Sequence, residues 1–228
     1  MKKNILNSVH LDGILEGVRF ESRQADEAVA WASVVTLHVR PQYPPDALPA
    51  DKFERLHHDV MLTADDEEGV AHLDAVKAGF DSMRDSGELF ACSLNGVLSI
   101  DKDNSFVRCA SENFRRADMV KTNDNNIANI EGTVTQVSVG RLNAKLRIDL
   151  GDGELNVFVS QKDNPEVWGK ISRGEFHKGD VLYMNGPLLS QRLTDGEMVV
   201  KMCAVSPHLV QNRKLDNKIR KKGSQSVG

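Results

Sequence analysis

Two short segments, "LNGVL" at Leu94–Leu98 and "MNGPL" at Met184–Leu188, stand ninety residues apart in equivalent surroundings. Each has an apolar run before it and a polar turn after it. A second pair of segments opens the same two stretches. "NSVHLDGIL" begins at Asn7 and "NIANIEGTV" begins at Asn126, 119 residues later, so Asn7, Leu11 and Gly13 align with Asn126, Ile130 and Gly132. Signals that recur in the same order constrain a chain more than any single motif does, because each copy must fold by the same plan. The simplest reading is a tandem duplication joined at the polar run Lys121–Asn126.

Each copy reads as mostly strand. In the second, Leu142, Ala144, Leu146, Ile148 and Leu150 alternate with Asn143, Lys145, Arg147 and Asp149, the period of a half-buried strand. "GDG" at Gly151–Gly153 is a hairpin turn, and Leu155, Val157 and Val159 return on the inner face. In the first, Val35, Leu37 and Val39 are expected on one face of a strand and Thr36, His38 and Arg40 on the other. A Pro-rich loop at 41–52 cannot join a sheet ladder. The helix signal is strongest at about 66–86: Asp65 with Glu68 reads as a capping pair, Val70, Leu73, Val76, Phe80 and Met83 as a core stripe, and Gly87 as the stop. Five strands with a helix or helical segment between the third and fourth define a small Greek-key barrel, the OB-fold. The predicted architecture is mainly β, with two tandem barrels at 1–123 and 124–211 and a basic, disordered tail at 212–228. Gly96 and Gly186 then read as positions where the fourth strand bends to close each barrel.

Composition narrows the function. The chain has 228 residues and a net charge of −4, but the charge is uneven. Residues 1–123 carry 14 Lys/Arg against 21 Asp/Glu, and residues 124–228 carry 15 against 12. No apolar run is long enough to cross a membrane as a helix or to serve as a signal peptide, and the three cysteines lack CxxC spacing. They read as buried thiols in a reducing compartment, so the expected address is cytoplasmic. No nucleophile triad, phosphate loop or dinucleotide fingerprint is visible, so neither an enzyme nor a cofactor is expected. His57 and His58 are adjacent on a strand and must point to opposite faces, which argues against a metal site.

The quoted segments resemble the bacterial single-stranded DNA-binding protein family. "NSVHLDGIL" is similar to that family's opening strand, "AVAWASVVT" (Ala28–Thr36) to its second, "LHHDVML" loosely to its third, and "KGDVLYMNGPL" (Lys178–Leu188) to its fourth. The resemblance implies single-stranded DNA as partner. It also implies a homodimer carrying four barrels and a role beside replication, recombination or repair proteins, in a bacterial, phage or mobile-element setting. The ending "RKLDNKIRKKGSQSVG" is basic and departs from the family's acidic tip, which leaves recruitment of such proteins in question.

A nonspecific single-strand binder needs aromatics for stacking beside cations for phosphate. In the second copy, a two-residue turn at Gly151-Asp152 would set Lys145 opposite Phe158 and Arg147 opposite Asn156. Phe158 is then either a stacking platform or a residue covered by a loop. Arg141 and Arg192 are further cationic candidates. In the first copy, His38 and Arg40 with Phe53, Arg55 and His57 form the expected outer face, and Tyr43 adds a loop aromatic. Trp31 is placed inside by alternation and outside by alignment with the family; a bulge would reconcile the two. The rival reading is an OB-fold protein-contact module with little affinity for DNA, favoured by the acidity of the first copy.

Overall fold

The computed structural model describes residues 6–39, 53–101, 104–119, 126–162, 164–192, 198–203 and 208–211. At 38–39, 53, 104, 190–192, 198–203 and 208–211 only the backbone is described. The fold is mainly β. The first of two compact units is built on Asn7–Ala128 with Leu188–Val200, and the second on Asn129–Pro187 with the chain from Lys201 on.

In the first unit, β1 (Asn7–Arg23), β2 (Ala28–Val39) and β3 (Phe53–Ala64) form an antiparallel meander. Helix α1 (Glu67–Ser86) follows, then β4 (Phe90–Asp101), β5 (Asn104–Ala110) and the short β6 (Phe114–Arg116). β3 runs parallel to β5, β5 antiparallel to β4, and β4 returns to the first half of β1. The ring β1-β2-β3-β5-β4 therefore closes on itself, which removes exposed edges. β1 serves two neighbours because bulges at Leu15/Gly17 and Phe20/Ser22 bend it.

Helix α1 starts at Asp66, whose carboxylate accepts from the Gly69 N–H at 2.6 Å, not at the expected Asp65. Gly87 ends it in a left-handed conformation at φ 76°. Its Val70, Leu73, Val76 and Phe80 are buried. Each such side chain contributes about 1.5–3 kcal/mol on burial.

The second unit carries β7 (Asn126–Val139, shared at its start with the first unit), β8 (Asn143–Asp149), β9 (Glu154–Ser160), α2 (Pro165–Ser172) and β10 (Val181–Gly186). β11 (Leu188–Arg192), β12 (Met198–Cys203) and β13 (His208–Gln211) complete the chain order. β7, β8 and β9 are antiparallel neighbours, β9 runs parallel to β12, and β10 pairs with β7 and β13. The single fourth strand expected here is two strands, because Pro187 has no N–H to give to a ladder. Leu142, expected on the inner face of β8, lies in the preceding turn and is 64% exposed.

The repeats seen in sequence recur as contacts. Asn7 Nδ2 donates to the Leu98 carbonyl at 2.7 Å, and the Leu98 N–H donates back to Asn7 Oδ1 at 2.9 Å. Asn126 makes the same two-point bridge to Leu188, at 2.7 Å and 3.0 Å. Leu98 and Leu188 are the last residues of "LNGVL" and "MNGPL". His10 Nδ1 lies 2.9 Å from Asn95 Oδ1, and at the aligned positions Asn185 Nδ2 donates to Asn129 Oδ1 at 2.6 Å. The aligned glycines sit where backbones touch. A Cβ on Gly13 would lie 2.4 Å from the Val35 carbonyl oxygen, and one on Gly132 would lie 2.4 Å from Ile148 Cγ2. A Cβ on Gly96 would lie 2.4 Å from the Arg108 carbonyl oxygen, which fits its barrel-closing role. Two residues beyond Gly13 and Gly132 come the bulges at Leu15/Gly17 and Val134/Gln136.

One expectation is reversed. On β2 it is Thr36 that is buried, while Leu37 is half-exposed. Thr36 Oγ1 lies 2.9 Å from Nε2 of the buried His58, and the Asn126 amide is 3.5 Å from both. A buried polar group is tolerated only when it has such partners, and this trio lets Thr36 turn inward. Burial, with a smaller contribution from His57, pushes the His58 imidazole down to about 3.

Two measurements follow from this packing. Gly96→Ala should lower stability by about 1–3 kcal/mol in denaturant unfolding, since backbone must move to admit the methyl; an unchanged midpoint would refute the close approach. His58 is neutral in the fold and binds a proton once unfolded. Its contribution is complete above its ordinary pKa of 6.5 and is lost as pH falls toward about 3. Between about pH 7 and about pH 5 the wild type should lose about 2 kcal/mol more than His58→Gln.

Candidate nucleic-acid interface

The hairpin β8–β9 has the predicted register. Leu150 and Gly153 close the two-residue loop Gly151-Asp152, with Gly151 at φ 98°. Lys145 stands opposite Phe158 and Arg147 opposite Asn156. Ala144, Leu146, Ile148, Leu155, Val157 and Val159 are buried on the other face. Phe158 is half-buried, and the Lys145 ammonium lies 5.7 Å from its ring centre, a cation–π distance. Arg147 is 3.5 Å from Glu154. Arg141 is exposed in the turn before β8. Among the described residues, Lys145 and Arg141 have no carboxylate partner. The site therefore brings together one aromatic ring and two cations.

In the first unit, the register β2–β3 sets Trp31 opposite Met61, Val35 opposite His57 and Leu37 opposite Arg55. Trp31 thus shares a face with Val35 and Leu37, as alternation requires, and that face is the outer one. Arg55 and His57 are exposed on it, but both are drawn to Glu16: Arg55 makes an ion pair with it, and His57 Nδ1 lies 3.4 Å from Glu16 Oε2. Thr36 is on the inner row, so the expected grouping of the β2 polar residues with Arg55 and His57 does not form. His38 stands opposite Glu54, Phe53 opposite Val39, and Arg192 ends β11; for all three only the backbone is described. Arg40 and Tyr43 lie outside the described residues.

The platform around Trp31 has components that the sequence reading did not name. Arg19, Trp31, Met61 and Arg108 are direct cross-strand neighbours on β1, β2, β3 and β5. Arg19 and Arg108 are exposed, and Trp31 and Met61 half-buried. The Trp31 ring meets Phe106 edge-on at 5.1 Å, and its Nε1–H donates to Glu21 Oε2 at 2.7 Å. These contacts fix the indole orientation. A groove of about 790 Å³ opens here, lined by Arg19, Ser33, Trp31, Asp59, Met61 and Phe106 among others.

The two rows follow a bulge at the same step. The residue after each β1-type bulge is Gly17 or Gln136, paired with Ser33 or Arg147. Two steps on, Arg19–Trp31–Met61–Arg108 corresponds to Ser138–Lys145–Phe158–Cys203. Each row carries an aromatic, on the second strand in one and on the third in the other.

The remaining candidates are inert or separate. His58 is buried and His57 exposed, on opposite faces of β3. Among the described residues no group of three or more His, Cys, Asp or Glu could hold a metal ion. No helix among them is long and apolar enough to cross a membrane. Burial pushes the thiols of Cys92 and Cys109 up to about 12.

No protein-family model and no curated protein sequence matches the chain. Solved structures do. The fold is similar to that of the single-stranded DNA binding protein from Thermus aquaticus, with 16% identity, 91% of this chain and 94% of that chain covered, and a TM-score of 0.62. A deletion mutant of that protein matches with 16% identity, coverage of 91% and 96%, and a TM-score of 0.59. At this identity the likeness is one of fold: an OB-type β architecture spanning nearly the whole of both chains.

The thiol chemistry is directly testable. Alkylation near neutral pH, read by peptide mass spectrometry, should leave Cys92 and Cys109 unmodified in the native protein and modify both after unfolding. Ready native modification of either would contradict the burial described.

Proposed function

We propose that this chain is a non-catalytic single-stranded DNA-binding protein made of two tandem OB-fold barrels, each using the outer face of its second and third strands. The observation that carries the reading is the coincidence of the two platforms. Trp31–Met61 and Lys145–Phe158 arise from different residues, yet occupy the same step after the same bulge. Each row carries an outward aromatic, Trp31 on the second strand and Phe158 on the third, and base stacking would use a ring at either place. The repeated order of strand pairing supports two barrels, one drawn mainly from residues 1–123 and the other from 124–211. The Thermus aquaticus likeness in fold supports the same class of ligand.

The division of labour follows from charge. Lys145, Phe158 and Arg141 take bases and phosphates in the second barrel; Arg192 remains a proposed contact. Trp31 does the stacking in the first, flanked by Arg19 and Arg108; His38, Arg40, Tyr43 and Phe53 remain proposed contacts on its loops and strand ends. Arg55 and His57 contribute less, because Glu16 pairs with Arg55 and lies beside His57. That pairing is also what favours protein contact over DNA for this corner of the first barrel. Two copies of the chain, giving four barrels, complete the assembly this reading implies.

Titration with oligo-dT at low and high salt tests the proposal. Binding should weaken steeply with salt as counterions are released. Trp31→Ala and Phe158→Ala should each cost about 1–3 kcal/mol of affinity, and the double variant more than either. No binding at low salt would leave the protein-contact reading in possession.

A further inference from the structure

The arginines of the described chain divide into two groups. Arg23, Arg55, Arg84, Arg147 and Arg173 each lie beside a carboxylate. Arg19, Arg108, Arg115, Arg116 and Arg141 are exposed and, among the described residues, lack one; Arg116 lies over the Phe90 ring instead. Arg19, Arg108 and Arg115 belong to the first unit, in the half of the chain where acidic residues outnumber basic ones 21 to 14, and none of the three lies over a ring. In so acidic a surrounding, three cations left without partners on one surface call for an anion from outside.

Their placement gives the anion a path. Arg19 and Arg108 flank the Trp31 row, three strand spacings or about 14 Å apart. Arg108 pairs with Val97 on β4, and Arg115 of β6 pairs with Ser93 of the same strand. Ser93 and Val97 are four residues apart, so they share a face, and Arg108 and Arg115 lie along one edge of β4, about 13 Å apart. Between them that face presents the exposed Asn95 and the 40%-exposed Val97. No acidic side chain interrupts this face of β4 from Ser93 to Val97.

We propose that a single strand crossing the Trp31 row turns at Arg108 and runs along β4 to Arg115, which holds a phosphate at the far end. This inference rests on the single-strand reading above. The second barrel has no counterpart to the track's starting cation, since Cys203 occupies the register position of Arg108. The first barrel would therefore engage a longer stretch of strand than its own row can cover.

The experiment compares wild type, Arg115→Ala and the off-track control Lys178→Ala on an oligo-dT series. The series runs from a few nucleotides to well past the roughly 4–16 that one barrel spans. Arg115 is exposed, so its variant should keep the wild-type melting temperature. On long oligonucleotides Arg115→Ala should lose about tenfold in affinity at low salt and reduce the salt slope by about 0.7. On the shortest ones it should match wild type. Equal behaviour of Arg115→Ala and Lys178→Ala at every length overturns the track while leaving the stacking platforms standing. A loss already complete on the shortest oligonucleotides overturns it too, by placing Arg115 within the Trp31 row. Failure of wild type to bind any length at low salt overturns the single-strand reading itself.

Discussion

The two-point amide bridge between the first asparagine of each copy and the backbone of its fourth strand is the contact on which the architecture turns. Asn7 ties the start of β1 to Leu98, and Asn126 ties the start of β7 to Leu188. A side-chain amide that both donates to and accepts from one residue fixes the crossing of two strands in position and in register. The glycines next to these bridges allow the strands to approach where any side chain would collide with backbone. With the start of the strand anchored and a bulge following the glycine, the outward positions of the next two strands are set. The platforms inherit their placement from that geometry.

The same dependence explains what could be read from sequence. Asn, Gly and the apolar alternation are local signals tied to specific backbone demands, so the mainly β fold, the contacts of Asn7 and Asn126 and the β8–β9 register were legible. A strict alternation on β8 and a two-residue turn left one pairing available. The fourth strand was legible through Gly96, and Pro187, which lacks an N–H, splits its counterpart into β10 and β11.

What was hidden depended on pairing between distant segments. On β2, Val34 and Val35 are adjacent and both buried, so alternation alone cannot choose the inner row. The choice is made by the Thr36–His58–Asn126 contacts, which join residues up to ninety apart. Arg19, Met61 and Arg108 lie on three strands whose adjacency includes a parallel pair, and none belongs to a motif. Phe106 becomes a candidate only because its ring meets Trp31. Exposure likewise failed to signal availability for Arg55, which the fold pairs with Glu16.

Photo-crosslinking to bromodeoxyuridine-substituted single strands tests the proposed equivalence of the two platforms at residue level. The prediction is that peptide mapping finds crosslinks at both Trp31 and Phe158. Crosslinks confined to one half of the chain, or to residues off both rows, would contradict it.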